Sequence, residues 1–258
     1  MVVAPHPDDE TIGAGGVAAL HALAGDRVTV VVVSDGRGSQ ALDLSTTQMV
    51  ARRRAEAEEA AKILGVQELV WLGLPEAQWQ SALARAELAP YLESATIIYA
   101  PSCVDFHPEH LDVSRVVADV VQPTQSVRIY ELSVPLMPLL VNLVADIHMV
   151  APLKRQALAC FTTQVGALKP LERLSSYRAA LYGLADSEVF WELSAPAYRR
   201  VIQEGKWTWY TTPFRGLRAR PFSDPLACMA GWQMRAQLRA LAEQAEQEAV
   251  RAGSVSRG

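Results

Sequence analysis

Cysteine is scarce in this 258-residue chain: there are three, Cys103, Cys160 and Cys228, an odd number at wide spacing. That pattern excludes a paired CxxC zinc framework, disfavours a disulfide scaffold and points to a reducing, cytoplasmic setting. The chain also lacks a basic cluster. Lys206, Arg215, Arg218 and Arg220 form the densest candidate, and the formal net charge is −4. Counterion release from a nucleic-acid backbone needs clustered lysine and arginine, so no nucleic-acid partner is expected. Long apolar runs are missing too. The best stretch, Leu132 to Val150, is broken by Pro135, Pro138, Asn142, Asp146 and His148, so no transmembrane segment is expected; peripheral membrane contact stays open. The sequence enters an apolar strand at once, with no signal-peptide pattern. Internal repeats and low-complexity blocks are absent.

What is present is apolar mass: half of the residues are hydrophobic and a fifth charged, enough for a sizeable core. The first half alternates strand-like and helix-like segments. Met1 to Ala4, Val28 to Ser34, Glu68 to Leu72, Ala95 to Ala100 and Ser126 to Tyr130 read as strands. Thr11 to Leu23, Met49 to Leu64, Trp79 to Glu93 and Glu109 to Val121 read as helices between them. VTVVVVS at 28–34 has the continuous β-branched character of a strand buried on both faces, and Gly65 suits a helix C-terminus. The order βαβαβαβαβ predicts an α/β fold: an open parallel sheet with right-handed helical crossovers. Gly13, Gly15 and Gly16 predict close backbone packing of the first helix. The second half is less regular and α-rich. It shows helices at Pro152 to Gln164 and Leu171 to Tyr182, a strand at Val189 to Ser194, and a long helix from Asp224 to Arg251 with Asp224 as cap and Pro225 in its first turn. Trp207, Trp209, Tyr210 and Phe214 lie in a loop-like stretch whose commonest fate is core packing.

In such sheets ligands lie beyond the carboxyl ends of the strands, which directs attention to the loops after Ala4, Ser34 and Ala100. The first reads Pro5-His6-Pro7-Asp8-Asp9-Glu10. Adjacent carboxylates beside a histidine repel each other, and a cation relieves this; the prolines stiffen the loop. The third reads Asp105-Phe106-His107-Pro108-Glu109-His110, with His107 and His110 three apart in a first helical turn. Either motif alone is compatible with an ordinary turn or with surface histidines. Together they offer two imidazoles and a carboxylate with one position left for water, the composition of an open catalytic zinc site. Three of the five histidines fall in these two stretches. His21 and His148 lack such a setting.

These motifs resemble those of the GlcNAc-PI de-N-acetylase (PIG-L, LmbE-like) family. PHPDDE at 5–10 matches its first signature, and His107-Pro108-Glu109-His110 its HPxH motif. Ser34-Asp35-Gly36 resembles its turn after the second strand, and Arg53-Arg54-Ala55-Glu56 with Ala60 and Leu64-Gly65 its next helix. Weaker similarity continues through Glu131, Asp146, Lys154, Ala157, Gln164 and Glu188 to about Phe190. The resemblance implies a Rossmann-like deacetylase domain over residues 1–194, with 195–258 as a C-terminal extension packed on it. It further implies a Zn2+ cofactor, another divalent metal not being excluded, and removal of an acetyl group from an N-acetylglucosamine conjugate. Carried over, it makes His6, Asp9 and His110 metal ligands, Asp8 the general base and His107 the oxyanion stabiliser or proton donor. Asp105 would hold the His107 ring. Arg53 would reach the sugar or its phosphate, or else pair with Glu56 or Glu58. Asp35 reads as a loop constraint. The partner is then a small-molecule or glycan amide, and a homo-oligomer stays open. Two alternatives share the sequence. One is a zinc amidase acting on a non-sugar amide or thiol conjugate. The other is a nucleotide-binding module, against which Gly13-Ala14-Gly15-Gly16 fails the GxGxxG spacing.

Overall fold

A computed structural model describes residues 1–39, 42–105, 107–132, 134–205 and 232–255, and the side chains of all of these but 165–172, 232–233 and 252–255. Strands β1 (Val2–Ala4), β2 (Thr29–Ser34), β3 (Glu68–Leu74), β4 (Ile97–Pro101), β5 (Ser126–Tyr130), β6 (Leu143–Asp146) and β7 (Ser187–Ser194) form one sheet in the order β3-β2-β1-β4-β5-β7-β6. Among the described residues the helices are α1 (Asp9–Leu23), α2 (Thr46–Ile63), α3 (Ser81–Leu92), α4 (Pro108–Val120), α5 (Ala151–Ala159), α6 (Val165–Leu181), α7 (Ala195–Glu204) and α8 (Trp232–Val255).

The alternation of side chains along a strand splits the core into two layers. Val3, Val31 and Val33 face one cluster with Leu88, Val117 and Tyr198. Val2, Ala4, Val30 and Val32 face the other with Ala57, Tyr130 and Phe161. A run such as TVVVVS is therefore buried throughout. Gly13 and Gly16 let α1 lie close to its neighbours: a Cβ at Gly13 would stand 2.1 Å from a Tyr130 ring carbon, and one at Gly16 2.7 Å from Ile147. Helix α2 starts at a capping box formed by Ser45 and Gln48.

The sheet differs from an all-parallel one. Strands β1 to β5 are parallel. β7 runs antiparallel to β5, and β6 antiparallel to β7. Among the described residues no helix lies between β5 and β6, so the chain reaches that edge without a helical crossover. β6 and α7 were not anticipated. The long helix was expected from Asp224, a position that lies outside the described residues, as do the Trp207 to Phe214 cluster and Cys228. Met234, Leu238, Ala242 and Ala245 of α8 join the α7 residues Ala197, Tyr198 and Val201 in the first core cluster, so the described part of the C-terminal extension shares the core of the sheet. No helix among the described residues is long and apolar enough to cross a membrane.

What positions the site is the neighbouring of β1 and β4, paired through Val2 and Tyr99. The chain order reverses there, with β2 and β3 on one side and β5 on the other. At such a switch point the loops leaving the two strands diverge and open a crevice. The segments that leave carry His6 and Asp8 after β1, and Asp105 and His107 after β4.

Candidate metal centre

His6 and Asp9 come from the loop after β1 and the first residue of α1; His107 and His110 come from the N-cap and first turn of α4. Pro108 at the start of α4 fixes its entry. The four side chains converge. The His6 ring centroid lies 4.7 Å from that of His107 and 5.3 Å from that of His110, and the His107 and His110 rings stack at 4.6 Å. Asp9 Oδ2 sits 3.1 Å from His6 Nδ1 and 3.5 Å from His110 Nε2, and accepts the His6 backbone N–H at 2.9 Å.

The far sides of both rings meet carboxylates. His6 Nε2 is 2.7 Å from Glu109 Oε2, and His110 Nδ1 is 3.0 Å from Asp105 Oδ2. Glu109 Oε1 accepts the Ala77 N–H at 2.9 Å, and Glu76 Oε1 stands 3.9 Å from His6 Nε2. Asp105 thus faces the His110 ring, whereas the sequence reading placed it behind His107. Its other oxygen takes the His107 backbone N–H at 2.9 Å, because the chain turns into α4 between them.

Asp8 is the strained member. It has φ 141° and ψ −29° with no side-chain cap bond, a backbone conformation that costs an L-residue about 1–3 kcal/mol. Its N–H donates to Glu10 Oε2 at 3.0 Å and its carboxylate lies 3.1 Å from Arg53 Nη2. Arg53 is itself buried. Asp35 ties its own turn through Arg37 and the Glu76 N–H, outside the ring of donors.

Burial and mutual charge move the pKa values apart. Burial raises Asp8 to about 7, against the pull of Arg53 and with a further push from Asp9. For Asp9 burial is outweighed by His110 and His6, and its pKa falls to about 2. For His6 burial is outweighed by Asp9 and Glu109, and its pKa rises to about 10. Burial, then the charges of His110 and His6, lower His107 to about 4. Burial, then the Asp8 charge, raise Glu10 to about 8. His107 Nδ1 is buried without a hydrogen-bond partner.

The donor chemistry fits a divalent cation. His6, His107 and His110 each offer a ligand atom within a 4.8 Å set, as do His6, Glu76 and Glu109. Imidazoles backed by carboxylates are the usual support of a metal site. Glu76 and Glu109 were missed in the sequence. Glu109 stands inside HPEH, and Glu76 follows β3, a fourth strand whose carboxyl end the switch-point rule also covers.

The fold and this donor set resemble those of one class: residues 1–121 match the PIG-L family model, GlcNAc-PI de-N-acetylase. Among individual proteins the chain is 29% identical over 170 residues to a 1D-myo-inositol 2-acetamido-2-deoxy-alpha-D-glucopyranoside deacetylase of Acidothermus cellulolyticus, a match spanning 52% of this chain and 58% of that protein. The fold is that of N,N'-diacetylchitobiose deacetylase from Pyrococcus horikoshii (TM-score 0.68, 22% identity, 76% of this chain and 84% of that one). It is equally that of a 4-carboxy-2-hydroxymuconate hydratase from Pseudomonas putida (TM-score 0.61, 19% identity, 74% and 94%). The fold alone therefore does not select the reaction.

Proposed function

We propose that the chain is a zinc-dependent hydrolase that removes the acetyl group from an N-acetylglucosamine-containing conjugate. One observation carries this reading: a single carboxylate oxygen of Asp9 stands within reach of the inward nitrogens of His6 and His110, whose outward nitrogens face Glu109 and Asp105. His6, Asp9 and His110 would hold the zinc. When bound there, zinc supplies Lewis acidity and lowers the pKa of water to about 7.

Asp8 receives the proton of the attacking water. Its carboxyl, raised to about 7 by burial, is matched to proton transfer near neutrality. As the carbon–nitrogen bond breaks, the same carboxyl returns that proton to the amine nitrogen, leaving acetate and a free amine. His107, uncharged at neutral pH because burial holds it near 4, presents an N–H to the tetrahedral oxyanion. Support for the sugar substrate comes from the match of residues 1–121 to the GlcNAc-PI de-N-acetylase model and from the activity of the Acidothermus relative.

The test is acetate release by zinc-loaded protein from a panel of N-acetylglucosamine glycolipid, thiol-sugar, oligosaccharide and glycopeptide conjugates. Asp8→Asn should keep one zinc per chain and lose roughly 10²–10⁴-fold in turnover. No acetate from any conjugate removes the proposed reaction, and full activity of Asp8→Asn removes its role as base.

A further inference from the structure

The motif at 5–10 ends on Glu10, a buried carboxyl that the proposed reaction leaves idle. Both of its oxygens are engaged by its neighbours. Oε2 accepts the Asp8 N–H at 3.0 Å, and Oε1 accepts the Thr11 hydroxyl at 3.0 Å. The Asp8 carbonyl in turn accepts the N–H groups of Thr11 at 3.0 Å and Ile12 at 2.9 Å. Asp8 is thus gripped at both ends of its backbone from within α1, at the φ of 141° that an L-residue rarely adopts.

The start of α1 departs from ordinary helix capping. An aspartate at the N-cap usually turns its carboxylate onto the N–H of the second or third helical residue. Asp8 is the N-cap of α1 and makes no such bond; its carboxylate lies 3.1 Å from Arg53 Nη2 instead. In a capping box, a glutamate or glutamine at the third helical position also reaches back to the N-cap N–H. Here the second helical residue, Glu10, does this. One half of the box is present and the other is missing. The missing half is the one that would have consumed the Asp8 carboxylate.

We infer that Glu10 is a positioning residue: by holding the Asp8 N–H it keeps that backbone in its strained form and its carboxylate out of the cap, free to act as base. The role rests on Asp8 as base in the proposed reaction, but the strain can be measured without turnover. Glu10→Gln offers an amide oxygen to the Asp8 N–H and an amide N–H to the Thr11 oxygen. It should keep one zinc per chain and a kcat within about threefold of wild type, since both bonds survive. Glu10→Met fills similar space without a strong acceptor. It should also keep zinc and leave KM within about twofold, while kcat falls roughly 10²-fold, the size expected of about 1 Å of misplacement. Three results overturn the inference: a glutamine variant as slow as the methionine one, a raised KM with kcat retained, or loss of zinc from Glu10→Met.

A second comparison uses urea unfolding of the metal-free protein. Glycine accepts a φ of 141° and alanine does not. Asp8→Gly should therefore gain stability relative to Asp8→Ala when Glu10 or Glu10→Gln holds the backbone, and lose that gain with Glu10→Met. The entropic cost of glycine in the unfolded chain is common to all three backgrounds and cancels. An equal glycine–alanine difference in all three overturns the inference. If Glu10→Met does not fold, a smaller difference in Glu10→Gln than in wild type overturns it equally. If wild type releases no acetate, the functional reading fails while the unfolding comparison still decides for or against Glu10.

Discussion

Two clusters of buried charge lie either side of the first turns of α1, and they are built differently. In the second, Lys154 Nζ donates to the Ile12 carbonyl at 2.8 Å and to Glu188 Oε1 at 2.5 Å. Glu188 accepts the N–H groups of Gly16 at 2.7 Å and Val17 at 2.9 Å. Each group there meets partners supplied by the chain, and together they stitch β7 and α5 to α1. The cluster at the switch point is open by contrast. His107 Nδ1 and Arg53 Nε are buried without a hydrogen-bond partner, and Asp8 is held in strained backbone. Buried charge alone is therefore a poor sign of function, because both clusters have it. Unfilled valence around convergent donors is the better sign, since a native fold tolerates it only where something else completes it.

The contrast breaks if truncation has the same consequence in both clusters. His110→Ala should abolish stoichiometric zinc binding, since it removes one of three proposed ligands, yet leave the fold intact. Glu188→Ala should do the reverse. It leaves the Lys154 ammonium buried and unpaired, at a cost of about 3–5 kcal/mol, seen as a lower urea midpoint, while the folded fraction still takes up one zinc. If Glu188→Ala loses zinc without losing stability, the division between the two clusters is wrong. A smaller effect sharpens it: Asp105→Asn should weaken zinc roughly 10–100-fold without abolishing it, the size typical of a carboxylate behind a liganding imidazole. An unchanged zinc Kd would leave Asp105 only its backbone turn at His107.

How much of this was legible follows from where each contact lies in the chain. The donors sit in two short stretches, and alternating segments placed both at strand ends, so PHPDDE and HPEH could be read together before any coordinates. The partners of those donors were not legible in the same way. Glu109 reaches back to His6, 103 residues away, and Glu76 arrives from the turn after β3, so neither pairing leaves a local pattern. Asp105 was assigned to the nearer ring by sequence distance, whereas the start of α4 turns it to His110. β6 is a four-residue edge strand without a β-branched run, and so lacks the signal that marked β2. α7 did carry one, with Ser194 capping it and Pro196 in its first turn, but it abuts β7 with no loop between them.

The finest distinction between the clusters is how stability answers to pH once metal is removed with a chelator. His6 has its pKa raised from 6.5 to about 10. Its contribution is full below about 6.5 and fades as pH rises through 10. Asp8 and Glu10, raised from 3.8 and 4.5 to about 7 and 8, stay neutral in the folded protein while their unfolded counterparts ionise. Over that interval the folded state holds more protons, so stability again falls as pH rises. Asp9, lowered to about 2, adds stability above 3.8 that is lost only in strong acid. The changes at His6, Asp8 and Glu10 between pH 5 and 9 run downward for the metal-free protein, opposed up to about pH 6.5 by His107, whose pKa burial lowers to about 4. Zinc acts in the opposite sense, because its ligands must be deprotonated and its affinity climbs with pH. The gap in Tm between zinc-loaded and chelated protein should therefore widen from pH 5 to pH 8, by about a few degrees at this chain length. In His110→Ala, where the zinc site is broken, the gap should close at every pH while the downward slope of the metal-free protein persists through His6, Asp8 and Glu10. A gap that stays constant with pH in the wild type would mean that zinc is held away from these titrating groups.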